Sequence, residues 1–233
     1  MLRLLGFFVV VLLVLQVLRH VPLLGAVFQI PFVGFWLAAV LVSAGGSKLA
    51  ADWVDRRKQR ALERQLGTVD TPHNLGKLGA LLVAQRRYRR ALDYLDRAID
   101  GEPETAEWPY RKGIALIGLS RHAEAVEALE ACTAINEDHA YGGAQLRLAQ
   151  AQLAVGEAGA ALAILERFEL SHGKSPESAY RRGLSLKGLD RAQEARAALA
   201  EVSELARQVT GYQKRGAWKW VLRASWARVL SLG

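Results

Sequence analysis

The chain has a single cysteine, Cys132, in 233 residues. No intrachain disulfide can form, and a reducing compartment fits better than secretion. Charge is absent from Leu4 to Leu18, and after Arg19 and His20 the run from Val21 to Ala44 is interrupted only by Pro22, Gln29 and Pro31. At the other end acidic residues are absent: residues 207–233 hold six Lys or Arg and no Asp or Glu. A catalytic set is also lacking. His73, His122 and His172 have no Ser, Cys or carboxylate partner identifiable from sequence, so no hydrolase constellation can be built. Gly173-Lys174-Ser175 matches the end of a phosphate-binding loop, but Phe168 stands where the earlier glycine belongs. Glu137, Asp138 and His139 are consecutive in a connector, and such neighbours rarely converge on one ion. The expectation is a non-enzymatic chain with no cofactor, no metal and no small-molecule substrate.

The two apolar runs point to a membrane. At 1.5 Å per residue, roughly 20 residues cross about 30 Å of hydrocarbon, so the second run is long enough. The first is short; Met1 and Leu2 lengthen it, and Arg3 can snorkel. The expectation is a transmembrane helical hairpin over residues 1–46. A cleaved leader is a weaker reading, because two apolar runs separated by Arg19 make a poor one, and a single span is a third. Net charge is +8, but its placement argues against a nucleic-acid partner. Residues 67–206 hold 17 Lys or Arg against 20 Asp or Glu, while residues 48–66 hold six against three. The basic excess flanks the apolar runs and fills the tail, which suits an anionic lipid surface better than a DNA groove. Residues 47–70 read as a basic juxtamembrane helix or stalk, with Arg56, Arg57, Lys58 and Arg60 at the membrane interface. Such a flank belongs in the cytoplasm.

Between these ends the sequence repeats. A small residue recurs at Gly79, Gly113, Ala149 and Gly183, with spacings of 34, 36 and 34. Twelve residues after each stands alanine (Ala91, Ala125, Ala161, Ala195), and sixteen after each stands leucine (Leu95, Leu129, Leu165, Leu199). Two antiparallel helices within about 8–10 Å require small residues where they meet, which explains the pairing of the first two columns. Helix starts agree: Asp70-Thr71-Pro72 and Ser175-Pro176-Glu177 each place a cap before a first-turn proline.

This pattern resembles the tetratricopeptide repeat family, a helix–turn–helix unit of about 34 residues. The first unit carries the resemblance best, through Leu78-Gly79, Leu82, Tyr88, Ala91, Leu95, Ala98 and Pro103. Later units depart from it: Cys132, Phe168 and Val202 stand in the place of Ala98, Glu137 replaces the closing proline, and the third unit is longer by two residues. The whole chain is similar to small bacterial membrane-anchored proteins of this family. The fold expected is all-α: the hairpin, then an α-solenoid of about four units (71–104, 105–139, 140–174, 175–206), then a C-terminal capping helix within 207–233.

The resemblance implies a concave face that binds a partner's peptide or amphipathic helix. In register, that groove would be lined by Val83, Tyr110, Ile114, Ile117, Leu146, Gln150, Leu153, Tyr180, Leu184 and Lys187, with His73 at one end. It reads as apolar, although some of these residues are equally expected to pack between neighbouring helices. In the tail, Trp218, Val221, Leu222, Trp226 and Val229 share a helical arc, with Trp220 on the other side. Three fates stay open for it: closing the last repeat, lying in a membrane interface through Trp218 and Trp226, or occupying a groove. The function expected is a scaffold that recruits partners at the cytoplasmic face of a bacterial inner membrane. The alternative is a structural subunit of a larger membrane complex, its hairpin packed through Gly34, Ala38, Ala39, Ser43 and Gly45.

Overall fold

A computed structural model describes Ala61, residues 71–209, Gly211 and residues 214–229. The expected hairpin lies outside the described residues, as does the stalk apart from Ala61, including Arg56, Arg57, Lys58 and Arg60. The chain divides after Leu62 into two units. Among the described residues no helix is long and apolar enough to cross a membrane.

The second unit is all-α. Its helices are α1 (Pro72–Ala84), α2 (Tyr88–Gly101), α3 (Glu107–Gly118), α4 (His122–Ile135), α5 (Gly143–Ala154), α6 (Ala158–His172), α7 (Pro176–Gly188), α8 (Ala192–Gln208) and α9 (Lys214–Val229). Sequence capping sets the starts of α1 and α7. Thr71 accepts from the Asn74 amide ahead of Pro72, and Ser175 forms a reciprocal capping box with Ser178 ahead of Pro176. Each pair of helices turns through one left-handed residue, namely Arg86, Ser120, Gly156 and Asp190, at the same 34, 36 and 34 spacing as the small residues. At that residue the chain leaves the helix, and the following amide closes on a carbonyl of the last turn, as Arg87 N does on Leu82 O at 2.8 Å.

α1/α2, α3/α4, α5/α6 and α7/α8 pack as antiparallel pairs, and each pair packs on the next. The small-residue column lies in the pair interface. A Cβ on Gly79 would meet Leu95 Cγ at 2.6 Å, and one on Gly113 or Gly183 would meet Leu129 or Leu199 at 2.5 and 2.6 Å. Alanine and leucine of the other columns are buried there. The first helices also touch one another in succession, α1 on α3, α3 on α5 and α5 on α7. That closer spacing makes theirs the inner layer of the curve.

The two extra residues of the third unit fall in the connector between α4 and α5. It runs through three consecutive left-handed residues, Ala140, Tyr141 and Gly142. Gly142 is required there twice over, because its φ is +71° and a Cβ would lie 2.6 Å from Phe168. Glu137, Asp138 and His139 in this connector part company. Glu137 accepts from Arg167 and Gln145, Asp138 pairs with His172 at 3.0 Å, and His139 pairs with Glu107 at 2.9 Å. They serve as ties between helices.

Ion pairs also join the units at other places. Burial raises the Glu201 carboxyl, but Lys174 at 2.7 Å and Arg182 outweigh it and hold it below the usual carboxylate range. A carboxyl depressed in the folded state contributes stability above its unfolded value of about 4.3, and that stability is lost as pH falls through the folded value. The melting temperature is therefore expected to drop on acidification below about pH 4.5. Glu201→Gln should lower it at pH 7 and flatten its decline between pH 5 and 3, as thermal melts followed by circular dichroism would show.

Candidate partner surface on the inner face

Most of the expected groove residues lie on the successive first helices of the inner layer and are partly open. Tyr110, Ile114 and Ile117 of α3, Leu146, Gln150 and Leu153 of α5, and Tyr180 and Leu184 of α7 are all half-buried, and Lys187 is exposed. Each shows part of its side chain while anchoring the rest. Ile114 packs on the first-unit core, Tyr110 and Ile117 on the second, and Leu146 and Leu153 on the third. Val83 differs from the expectation. It is 6% exposed, among Leu75, Leu78 and Leu82, and has no surface to offer a partner. It sits in the last turn of α1, where the core of the first unit closes over it. His73 is exposed at one end and leans on Trp108, ring centroids 5.6 Å apart, with Nδ1 3.4 Å from Glu102.

Contrary to the expectation from sequence, the surface is not purely apolar. Lys77, Arg111, Arg147 and Arg181 occupy one column of the first helices at the repeat spacing, a signal the register already contains. Arg111 bonds Glu107 at 2.6 Å within its own helix. Arg181 bonds Glu177 at 2.6 Å and also donates to Gln150 of the preceding unit at 2.9 Å. Arg147 donates to the same Gln150 oxygen at 3.0 Å and approaches Glu177 at 3.9 Å. Only 6% of the Arg181 side chain is exposed. Burial lowers its guanidinium pKa, Glu177 opposes that shift, and the nearby charges of Arg147 and Arg223 add to it. At this end of the inner face Arg147 and Arg181 share the Glu177 carboxylate, the Arg223 charge lies near Arg181, and the excess is positive.

α9 closes the array by packing on both α7 and α8. Of the fates left open for the tail, the helix closes the last repeat, and it does so through the side opposite the arc of Trp218, Leu222 and Trp226. Trp220, Ala217 and Ala224 are buried, with Trp220 and Ala224 against Ala179, Leu199 and Val202. Trp220 lies 5.5 Å from the Tyr180 ring, beneath Arg181, Lys219 and Arg223 at 5.3, 4.7 and 5.0 Å. Each of those cations faces an aromatic quadrupole, which favours the docked helix. Trp218, Leu222 and Trp226 are 65%, 61% and 69% exposed.

Cys132 is fully buried between Ala106 and Ala144. Burial, with a smaller contribution from the Glu107 charge, pushes its thiol up to about 12, so at neutral pH it is a packed, unreactive side chain. Gly173 and Lys174 do not form a phosphate cradle, since the Lys174 amine is taken by Glu201. Among the described residues no group of three His, Cys, Asp or Glu side chains could hold a metal ion.

Comparison with known proteins agrees with this architecture. Residues 110–139 match the profile of the family described as tetratricopeptide repeat. No curated protein sequence matches the chain. The structure of MamA 41-end from Desulfovibrio magneticus RS-1 is similar, with 18% identity and a TM-score of 0.53 over 67% of this chain and 94% of that one. Another MamA structure shows 21% identity and a TM-score of 0.57 over 74% and 96%. YrrB, described as a tetratricopeptide protein with an unusual peptide-binding site, shows 16% identity and a TM-score of 0.56 over 74% and 96%. At these identities the likeness is one of fold.

Proposed function

We propose that this chain, whose residues 110–139 match the tetratricopeptide repeat profile, is a non-catalytic scaffold whose inner face holds a segment of a protein partner. The observation that carries this reading is the set of half-buried apolar side chains that the inner-layer helices carry, Tyr110 and Ile114 on α3, Leu146 and Leu153 on α5, and Tyr180 and Leu184 on α7, beside a column of cations in excess of carboxylates. The partner segment is accordingly apolar on one side and acidic on another. Apolar area buried in the groove supplies affinity at roughly 25 cal/mol per Å², and the cations set its orientation.

We also propose that residues 1–46 anchor the scaffold in a bacterial inner membrane, with the repeats on the cytoplasmic side. The apolar runs and the basic flank at Arg56, Arg57, Lys58 and Arg60 support this reading. Anchoring raises the effective concentration of a membrane-bound partner, so a weak groove suffices.

The test is co-purification of the full chain in mild detergent beside a Leu146→Glu/Leu184→Glu variant checked for unchanged helicity. A companion bound to the wild-type chain, released by salt and lost from the variant is the expected result. A stoichiometric companion that stays with both chains would overturn the groove and favour the structural-subunit reading.

A further inference from the structure

α9 carries apolar side chains on two opposite faces, and the repeats use only one of them. Trp220, Ala217 and Ala224 close the array. On the far side Trp218, Leu222 and Trp226, four residues apart, form a stripe along one edge of the helix, and all three are well exposed. Two tryptophans and a leucine held in water without a use are unfavourable, so the stripe calls for an occupant.

The surrounding charge says which kind. Residues 207–233 carry six Lys or Arg and no carboxylate, whereas the repeats carry both signs. A second copy of this chain offers no acidic counterpart to α9 in its own tail, and its repeats are only slightly acidic. Indole is also the side chain that settles at the boundary between headgroups and acyl chains, with lysine and arginine reaching the phosphates beside it. Lys219 and Arg223 flank the stripe and are exposed; their charged ends lie 4.7 and 5.0 Å from the Trp220 ring centroid, and long flexible side chains of this kind can swing to a headgroup beside the stripe.

We propose that the outer face of α9 docks on an anionic lipid surface, with Trp218, Leu222 and Trp226 entering the interface and the basic side chains of the tail meeting its phosphates. This rests on the membrane attachment proposed above for proximity alone, because α9 provides a contact of its own. The solenoid is then tied to the bilayer at its C-terminal end through α9.

The test uses the full chain with vesicles of phosphatidylcholine, alone or mixed with phosphatidylglycerol, whose acyl chains are brominated to quench indole emission. The emission of Trp218 and Trp226 is taken as the difference between the wild-type chain and a Trp218→Ser/Trp226→Ser variant, which should fold because both positions are exposed. That emission should fall at least about twofold in phosphatidylglycerol-containing vesicles, and far less in phosphatidylcholine. About 0.5 M salt should reverse much of the effect. Emission left unquenched in both lipids would overturn the proposal, as a second copy or a protein covering the stripe would produce. Equal quenching in both would overturn the preference for anionic lipid. Alkaline carbonate extraction of the same samples reports the N-terminal anchor separately. A chain that is extracted yet still quenched loses the anchor and keeps the α9 contact, and the reverse outcome keeps only the anchor.

Discussion

Gly113→Val is expected to destabilise the repeats by about 3 kcal/mol, at the upper end for overpacking. The first carbon added at Gly113 lies 2.5 Å from Leu129 Cγ and 2.7 Å from its Cδ2, and Leu129 is fully buried. Valine adds two further methyls at the same seam, so α3 and α4 must separate. Gly113→Ala should cost less, since about 1 kcal/mol of helix preference offsets part of the clash. Gly216→Ala is the control: it is a helical glycine with nothing within 4 Å of an added Cβ, and it should be neutral or slightly stabilising. Denaturant unfolding measures all three. A double-mutant cycle with Leu129→Ala isolates the cause. Leu129→Ala alone leaves a cavity costing about 2–5 kcal/mol, whereas in the double variant the valine occupies that space, and the combined loss should fall well short of the sum. Strict additivity would mean that the two side chains do not meet.

Glu177→Ala has the second large effect expected, a loss of about 3 kcal/mol, at the low end for breaking a buried ion pair. It leaves Arg181, 6% exposed, without its carboxylate while Arg147 and Arg223 stay close. Gln150 alone remains to accept from the guanidinium. The effect should reach α9, because Arg181 lies over Trp220 at 5.3 Å. Glu177→Gln keeps an acceptor and should lose less, and Glu177→Ala/Arg181→Met should recover much of the stability by removing the stranded charge. Urea titration followed by tryptophan emission gives the size of each change. A loss below about 0.5 kcal/mol, the range of an exposed pair, would contradict the burial of Arg181.

Much of the fold is legible in the sequence because one physical requirement recurs every 34 or 36 residues. Two helices pressed together need a small residue where they meet, and Gly79, Gly113, Ala149 and Gly183 announce where, although the side chains that meet the three glycines are Leu95, Leu129 and Leu199 and not the alanines the spacing suggests. The starts at Thr71-Pro72 and Ser175-Pro176 are legible for a similarly local reason: a side-chain oxygen satisfies amides only a few residues away. The inner-face cations are legible too, in the column Lys77, Arg111, Arg147 and Arg181, although the more numerous apolar residues beside them mask it.

Other features belong to tertiary structure. Val83 has the spacing of an inner-face residue, yet whether it is seen or covered depends on how the first-unit core closes around it. The pairings of Glu107 with His139 and of Asp138 with His172 join residues about thirty apart, and no periodicity selects them. α9 shows the division most clearly. Its sequence places tryptophan on both faces, so its hydrophobic pattern alone cannot say which side is buried. By itself the sequence determined the repeat, its register and the basic character of the tail, since these follow from local spacing and composition. Only tertiary structure chose Trp220 as the seal, because that choice depends on Tyr180, Arg181 and Val202 being brought together to receive it, and it leaves Trp218 and Trp226 facing outward.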